Sequence, residues 1–234
     1  HLGARPDEVS FTASGTQAAH LGVAGLALGR VRTGARVVAT AVEHSSVLHA
    51  ARAAGEPVLV PVDALGRLDL DAFARAVGRG GVALAAVQSA NHEVGTRQPV
   101  AAVADLARQH DVPLLVDAAQ SVGRDDLPGG WSVLTASAHK WGGPAGVGVL
   151  AVRTGVRWRS PSPDDPREGG RVPGFVPVPL VVAAAAALED AASERAAEGV
   201  RLRRLVDVVR TRVPELVPDV VVLGKPIGNG YPIG

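Results

Sequence analysis

Residues 81–88, Gly-Val-Ala-Leu-Ala-Ala-Val-Gln, limit what this chain can fold into more than any other stretch. The run lacks the polar alternation of a strand with one wet face, and it is too short for a helix of usual length. It reads as a strand buried on both faces, as in a parallel sheet covered by helices. Further strands are expected at 8–12, 36–40, 57–62, 112–117, 131–135 and 146–152. Helices are expected from about 18 to 29, from 43 onward, at 69–77 and from about 100 to 110. Such alternation predicts an α/β fold with three layers around a mainly parallel, doubly wound sheet.

Beyond residue 152 the alternation stops. Residues 160–170 are rich in proline and glycine, too long for a simple connector, and read as a functional or mobile loop. An alanine-rich helix follows over 178–197, then a second helix from Gly199 to about Arg212, and a strand at 218–223. The expected organisation is a large domain over 1–155, a loop over 156–176, a long closing helix over 177–198, and the start of a small C-terminal domain over 199–234.

The polar residues collect where strands of the large domain end, which is where open α/β sheets bind ligands. Ser14-Gly15-Thr16 leads from a strand into a helix, a place that suits a phosphate or serves as a plain cap. His44, Asn91-His92-Glu93 and Asp117 with Gln120 follow three further strands. Asp117 closes an apolar strand with a carboxylate, which is costly unless a cation meets it. Lys140 lies in the small-residue turn 136–144, between two apolar runs. The chain has one other lysine, Lys225, among 24 Lys and Arg residues. An amine kept where guanidinium is preferred invites a chemical reason, because only the amine can lose its proton and act as a nucleophile.

Composition excludes several alternatives. With 24 basic against 23 acidic residues, charge offers no argument for nucleic acid or an anionic membrane as partner. No apolar run reaches the roughly 18 residues a spanning helix needs, so a cytoplasmic protein is expected. Cysteine is absent, which removes disulfides, thiolate metal sites and a cysteine nucleophile from this chain; no metal site is expected. Methionine is absent too, so the expectation is a processed product, a fragment or an edited chain.

A lysine able to form a Schiff base, a strand-end aspartate, a histidine beside them and a phosphate-binding helix terminus together make the set that pyridoxal 5'-phosphate requires. At this point the sequence resembles the class V aminotransferase group of fold-type I pyridoxal-phosphate enzymes, within it the cysteine desulfurase and selenocysteine lyase branch. The blocks that carry the resemblance are 11–18, Glu43-His44-Ser45-Ser46, Asn91-His92-Glu93-Val94-Gly95, Asp117-Ala118-Ala119-Gln120-Ser121 and Ser137-Ala138-His139-Lys140. It covers about residues 8 to 223.

By position, the resemblance implies that Lys140 holds the cofactor aldehyde, Asp117 pairs with the pyridinium nitrogen and His44 stacks on the ring. Gln120 and the pair Asn91 and His92 reach other ring substituents, while Gly15, Thr16, Ser137 and His139 form the phosphate cup. Lys140, helped by His44, is the expected acid and base. The implied activity is cysteine desulfuration with a homodimer as the working unit, cysteine or a related amino acid as substrate and a sulfur-acceptor protein as further partner. Another class V lyase, epimerase or transaminase, or a non-catalytic scaffold fragment, are the alternative readings.

The chain also departs from the family pattern. His92 stands where an asparagine is usual, and Phe175 falls where a hydroxyl is usual in a loop that reaches the partner's phosphate. The opening segment, most of the small domain and the sulfur-attacking cysteine are missing, so persulfide transfer by this chain alone is not expected. Residues 224–232 resemble the lysine segment of class III aminotransferases and read as a junction, with Lys140 the active lysine.

Overall fold

A computed structural model describes residues 1–127 and 129–216. One seven-stranded sheet runs through it. Its strands are β1 (Val9–Thr12), β2 (Arg36–Thr40), β3 (Glu56–Val60), β4 (Val82–Gln88), β5 (Leu114–Asp117), β6 (Val133–Ser137) and β7 (Gly148–Val152). They lie in the order β1-β7-β6-β5-β4-β2-β3. The inner pairs are parallel, and β7 is antiparallel to both of its neighbours.

The helices are α1 (Gly15–Gly29), α2 (Ser45–Ala54), α3 (Leu70–Gly78), α4 (Val100–Gln109) and α5 (Val178–Leu216). Side chains of β4 alternate as the pleat requires. Leu84 and Ala86 join a core with α1 and α2, whereas Ala85 and Val87 join a second core with α3, α4 and Ala184 of α5. Every residue of β4 is buried, which is why its sequence carries no polar alternation. The expected three-layer, mainly parallel sheet is therefore what forms.

Two elements differ from expectation. Helix α1 begins at Gly15, three residues early, because Ser14 Oγ accepts from Gln17 N at 3.1 Å and caps it there. No new helix begins at Gly199: the two helices expected over 178–197 and from Gly199 are one, α5, unbroken for 39 residues. A glycine inside a helix costs about 1 kcal/mol, less than leaving two more helix ends to be capped, and Glu198 and Arg201 pair across this point. The expected strand at 218–223 and the tail with Lys225 lie outside the described residues.

The loop after β7 is pinned to the sheet edge. Glu168 accepts from Phe11 N at 2.6 Å, Ser10 Oγ donates to the Glu168 carbonyl at 2.7 Å, and Arg171 donates to the Asp7 carbonyl. The first of these bonds occupies an edge N–H of β1 that would otherwise invite another strand. Among the described residues no helix is long and apolar enough to cross a membrane, and no three His, Cys, Asp or Glu side chains cluster as metal ligands.

Candidate active site

The strand ends and helix starts meet around one cavity of about 370 Å³. Its wall contains Gly15, Thr16, His44, His92, Asp117, Gln120, Ser137, His139 and Lys140, nine of the ten residues singled out above. Five chain segments far apart in sequence thus converge because parallel strands all point their carboxyl ends the same way.

Lys140 sits in the short 3-10 turn Ala138–Trp141, directly after β6. Gly142 ends that turn with φ +92°, a conformation that favours glycine. Across the cavity Asp117 closes β5, next to Gln88 of β4 in the pairing register. Its Oδ1 accepts from Ala119 N at 3.0 Å and from Thr135 Oγ1 at 3.4 Å. Burial pushes the Asp117 carboxyl above the usual aspartate range, and the Ala119 bond and the charges of His44 and Lys140 only partly offset it. Oδ2 is the acceptor this carboxyl can offer a ligand.

His44 caps α2, its Nδ1 accepting from Ser46 N at 3.2 Å. That bond puts the lone pair on Nδ1 and turns the rest of the ring toward the cavity. The His92 ring meets it edge to face, with centroids 5.0 Å apart, and His92 Nε2 is 3.3 Å from Glu93 Oε1. The departure at position 92 therefore brings a second imidazole into the site.

At the other end, α1 points its first turn into the cavity. The N–H groups of a helix's first turn have no intrahelical acceptor, and the helix dipole adds positive potential there. Gly15 is packed so tightly that a Cβ would lie 2.7 Å from Ser137 Cβ and 3.1 Å from Ser137 Oγ. Ser137 Oγ in turn is 3.0 Å from His139 Nδ1. A bare glycine, a helix start, two hydroxyls and an imidazole are groups that can hold an anion.

Asn91 is the exception among the expected residues. It is buried off the cavity wall: Nδ2 donates to the Val42 carbonyl, and Oδ1 accepts from Glu93 N and Val94 N. Its amide closes the 91–95 turn and so places His92. Gln88 and Ser46 line the cavity without having been anticipated.

Glu43 was missed as well. It is buried behind His44, with Oε1 accepting from Thr40 Oγ1 at 2.5 Å and Gln88 N at 2.8 Å. Its Oε2 is buried without a hydrogen bond. Burial raises the Glu43 carboxyl to about 8, with the charge of Asp117 adding to the effect. The acid immediately before His44 was the available signal.

Lys140, Asp117 and the first turn of α1 thus share one cavity at the strand ends of an open α/β sheet, where folds of this class bind ligands. The chain belongs to the class-V aminotransferase family, whose model matches residues 1–163. Cysteine desulfurase IscS of Dictyoglomus turgidum is 32% identical over 99% of this chain and 60% of its own length. A cysteine desulfurase of Sinorhizobium fredii is 34% identical over 97% of this chain, again spanning 60% of the relative.

Among solved structures, a NifS-like protein superimposes with TM-score 0.87 at 28% identity, covering 92% of this chain and 61% of that one. DndA from Streptomyces lividans does so with TM-score 0.77 at 30% identity, covering 88% and 62%. The structure described as SspA in complex with cysteine gives TM-score 0.74 at 30% identity, covering 80% and 56%. The chain thus spans about 60% of the length of the curated relatives named here.

Proposed function

We propose that this chain is the cofactor-binding part of a pyridoxal-phosphate enzyme of the cysteine desulfurase type, acting on cysteine or a closely related amino acid. The observation that carries the reading is the convergence of Lys140, Asp117, His44 and the Gly15 cradle on one cavity. The residues fit the cofactor group by group. Lys140 Nζ would bond the aldehyde, and Asp117 Oδ2 would accept from the pyridine nitrogen. The His44 ring would cover one face, with Gln120 and His92 beside the ring oxygen. Gly15 and Thr16 N–H groups, Ser137 Oγ and His139 would take the phosphate.

The cofactor supplies an electron sink that acidifies the substrate's Cα–H. With the cofactor bound, Lys140 Nζ would be the group placed to hold and return that proton, since it lies on the wall of the same cavity. His44 orients the ring. Asp117 contributes a charge that stays put in a poorly hydrated pocket. A homodimer and a sulfur-acceptor partner complete the proposal; SspA, a structural relative, is described in complex with cysteine.

The test is to add pyridoxal phosphate to the purified chain, record the visible spectrum, reduce with borohydride and map the labelled peptide. A yellow band trapped on Lys140 is expected. Label on Lys225, or no band, would overturn the assignment.

The phosphate cradle has its own test. Gly15→Ala places a methyl against Ser137 and is expected to weaken pyridoxal phosphate binding by about tenfold or more, the worth of one charge-assisted hydrogen bond of about 1.5–3 kcal/mol. Capture of pyridoxal, which has no phosphate, should not change. Equal losses for both compounds would argue against the cradle.

A further inference from the structure

The turn that carries Lys140 is tied down at two points that the cofactor itself does not use. Trp141 is buried, and its indole Nε1 donates to the main-chain carbonyl of Ala184 in α5 at 3.0 Å. Arg124, from the loop after β5, donates through Nη2 to the carbonyl of Lys140 itself. Arg124 also faces α5 electrostatically. The Glu198 carboxyl on that helix lies below its ordinary range, first because Arg201 bonds it and further because Arg124 is near.

Packing brings these partners together. Gly123 has φ +76°, and a Cβ there would lie 3.1 Å from Trp141 Cβ, 3.2 Å from Leu188 Cδ1 and 3.3 Å from Ala191 Cβ. At Gly143 a Cβ would lie 3.2 Å from Ala184 Cα. The lysine turn is therefore gripped between the Gly123–Arg124 loop on one side and α5 on the other.

The grip matters because the turn is weak by itself. A four-residue 3-10 turn closes with few internal bonds, here from Gly142 N and Gly143 N to the Ala138 carbonyl. Rotation of the peptide after Lys140 would swing the base of a long, flexible side chain, and a misplacement of about 1 Å can cost about a hundredfold in rate. Arg124 holds the carbonyl of that peptide, and Trp141 holds the residue beyond it.

We propose that Trp141 and Arg124 are positioning residues for Lys140, setting the direction in which its amine enters the cavity by tying its turn to helix α5. The inference rests on Lys140 being the cofactor amine, and it makes α5 a mechanical support of the reactive group. Whatever shifts α5 along its length shifts the lysine.

The test compares Trp141→Phe, which keeps the ring and deletes its donor, and Arg124→Gln, which removes the charged donor, with Phe73→Leu. The last loosens the core under α3, a different helix, and touches neither bond. Lysines are reductively methylated with formaldehyde and cyanoborohydride without cofactor, and the Lys140 peptide is quantified against the Lys225 peptide by mass spectrometry. Pyridoxal phosphate capture is followed separately by the visible band.

Trp141→Phe and Arg124→Gln are each expected to change the Lys140 to Lys225 labelling ratio, and to slow cofactor capture, by at least about threefold. Phe73→Leu should lower the thermal midpoint and move neither readout. Wild-type ratios in both variants, or an equal change in Phe73→Leu, would overturn the proposal. If ratios shift as expected while the wild-type chain captures no pyridoxal phosphate, the positioning role stands and the cofactor reading fails.

Discussion

Glu43→Gln is expected to make the cofactor-free chain more stable, by an amount that grows as the pH rises. The native carboxyl titrates near 8, against an ordinary glutamate value of 4.5. Between those two values the folded chain holds a proton that the unfolded chain has released, so stability falls as pH increases through this window and the loss is complete above the native value. At pH 7 the penalty amounts to about 3 kcal/mol, at about 1.4 kcal/mol per pH unit. Glutamine never pays it.

The glutamine oxygen can still accept from Thr40 Oγ1 and Gln88 N, and its amide nitrogen replaces an oxygen that already has no hydrogen bond. One unsatisfied buried N–H costs about 1 kcal/mol, which leaves a gain of about 2 kcal/mol at neutral pH. Urea unfolding of both proteins below pH 5, at pH 7 and above pH 8 checks this. The glutamine variant should be slightly the less stable of the two below pH 5 and increasingly the more stable as pH rises toward 8; a pH-independent difference would mean that Glu43 is not the titrating group.

The fold was legible where burial alone decides the residue type. β4 and β5 read correctly because both of their faces are covered, which leaves no room for polar alternation. Glycine misled at both ends of the chain's helical content. Gly15 starts α1 because Ser14 and Gln17 cap it, and Gly199 is carried through α5 by the helix on both sides. A local propensity of about 1 kcal/mol cannot outvote caps and neighbouring turns.

The site was legible where chemistry and topology coincide. Lys140, Asp117 and His44 stand at the ends of strands or just beyond them, and a parallel sheet brings such ends together whatever the loops do. Asn91 misled because its role is set by contact with the Val42 carbonyl, 49 residues away. Glu43 was missed for the same reason. Its burial depends on a bond from Gln88, 45 residues later, and an acid beside a histidine looks the same in sequence whether it faces water or the core.

Asp117→Asn is expected to trade cofactor affinity for stability of the cofactor-free chain. Burial raises the Asp117 carboxyl above its ordinary range, so its ionised form opposes folding as pH rises. Hydrogen bonds from Ala119 N and Thr135 Oγ1 soften the cost without removing it. The favourable charges around this carboxylate are His44 and Lys140, on the walls of the same cavity. Under the proposed function, a protonated pyridine nitrogen would be a further cation for this strand-end acid.

Asparagine keeps the shape and abolishes the charge. Cofactor-free Asp117→Asn should therefore unfold at higher temperature than wild type near and above neutral pH. Its affinity for pyridoxal phosphate should fall about 10- to 100-fold, the worth of a hydrogen bond to a charged group at about 1.5–3 kcal/mol. Absorbance titration and thermal midpoints on the same samples check both halves. A stability gain with unchanged affinity would show that the carboxylate does not meet the cofactor. Lower affinity with lower stability would mean that asparagine disturbs the end of β5, and that the acid is there for the fold.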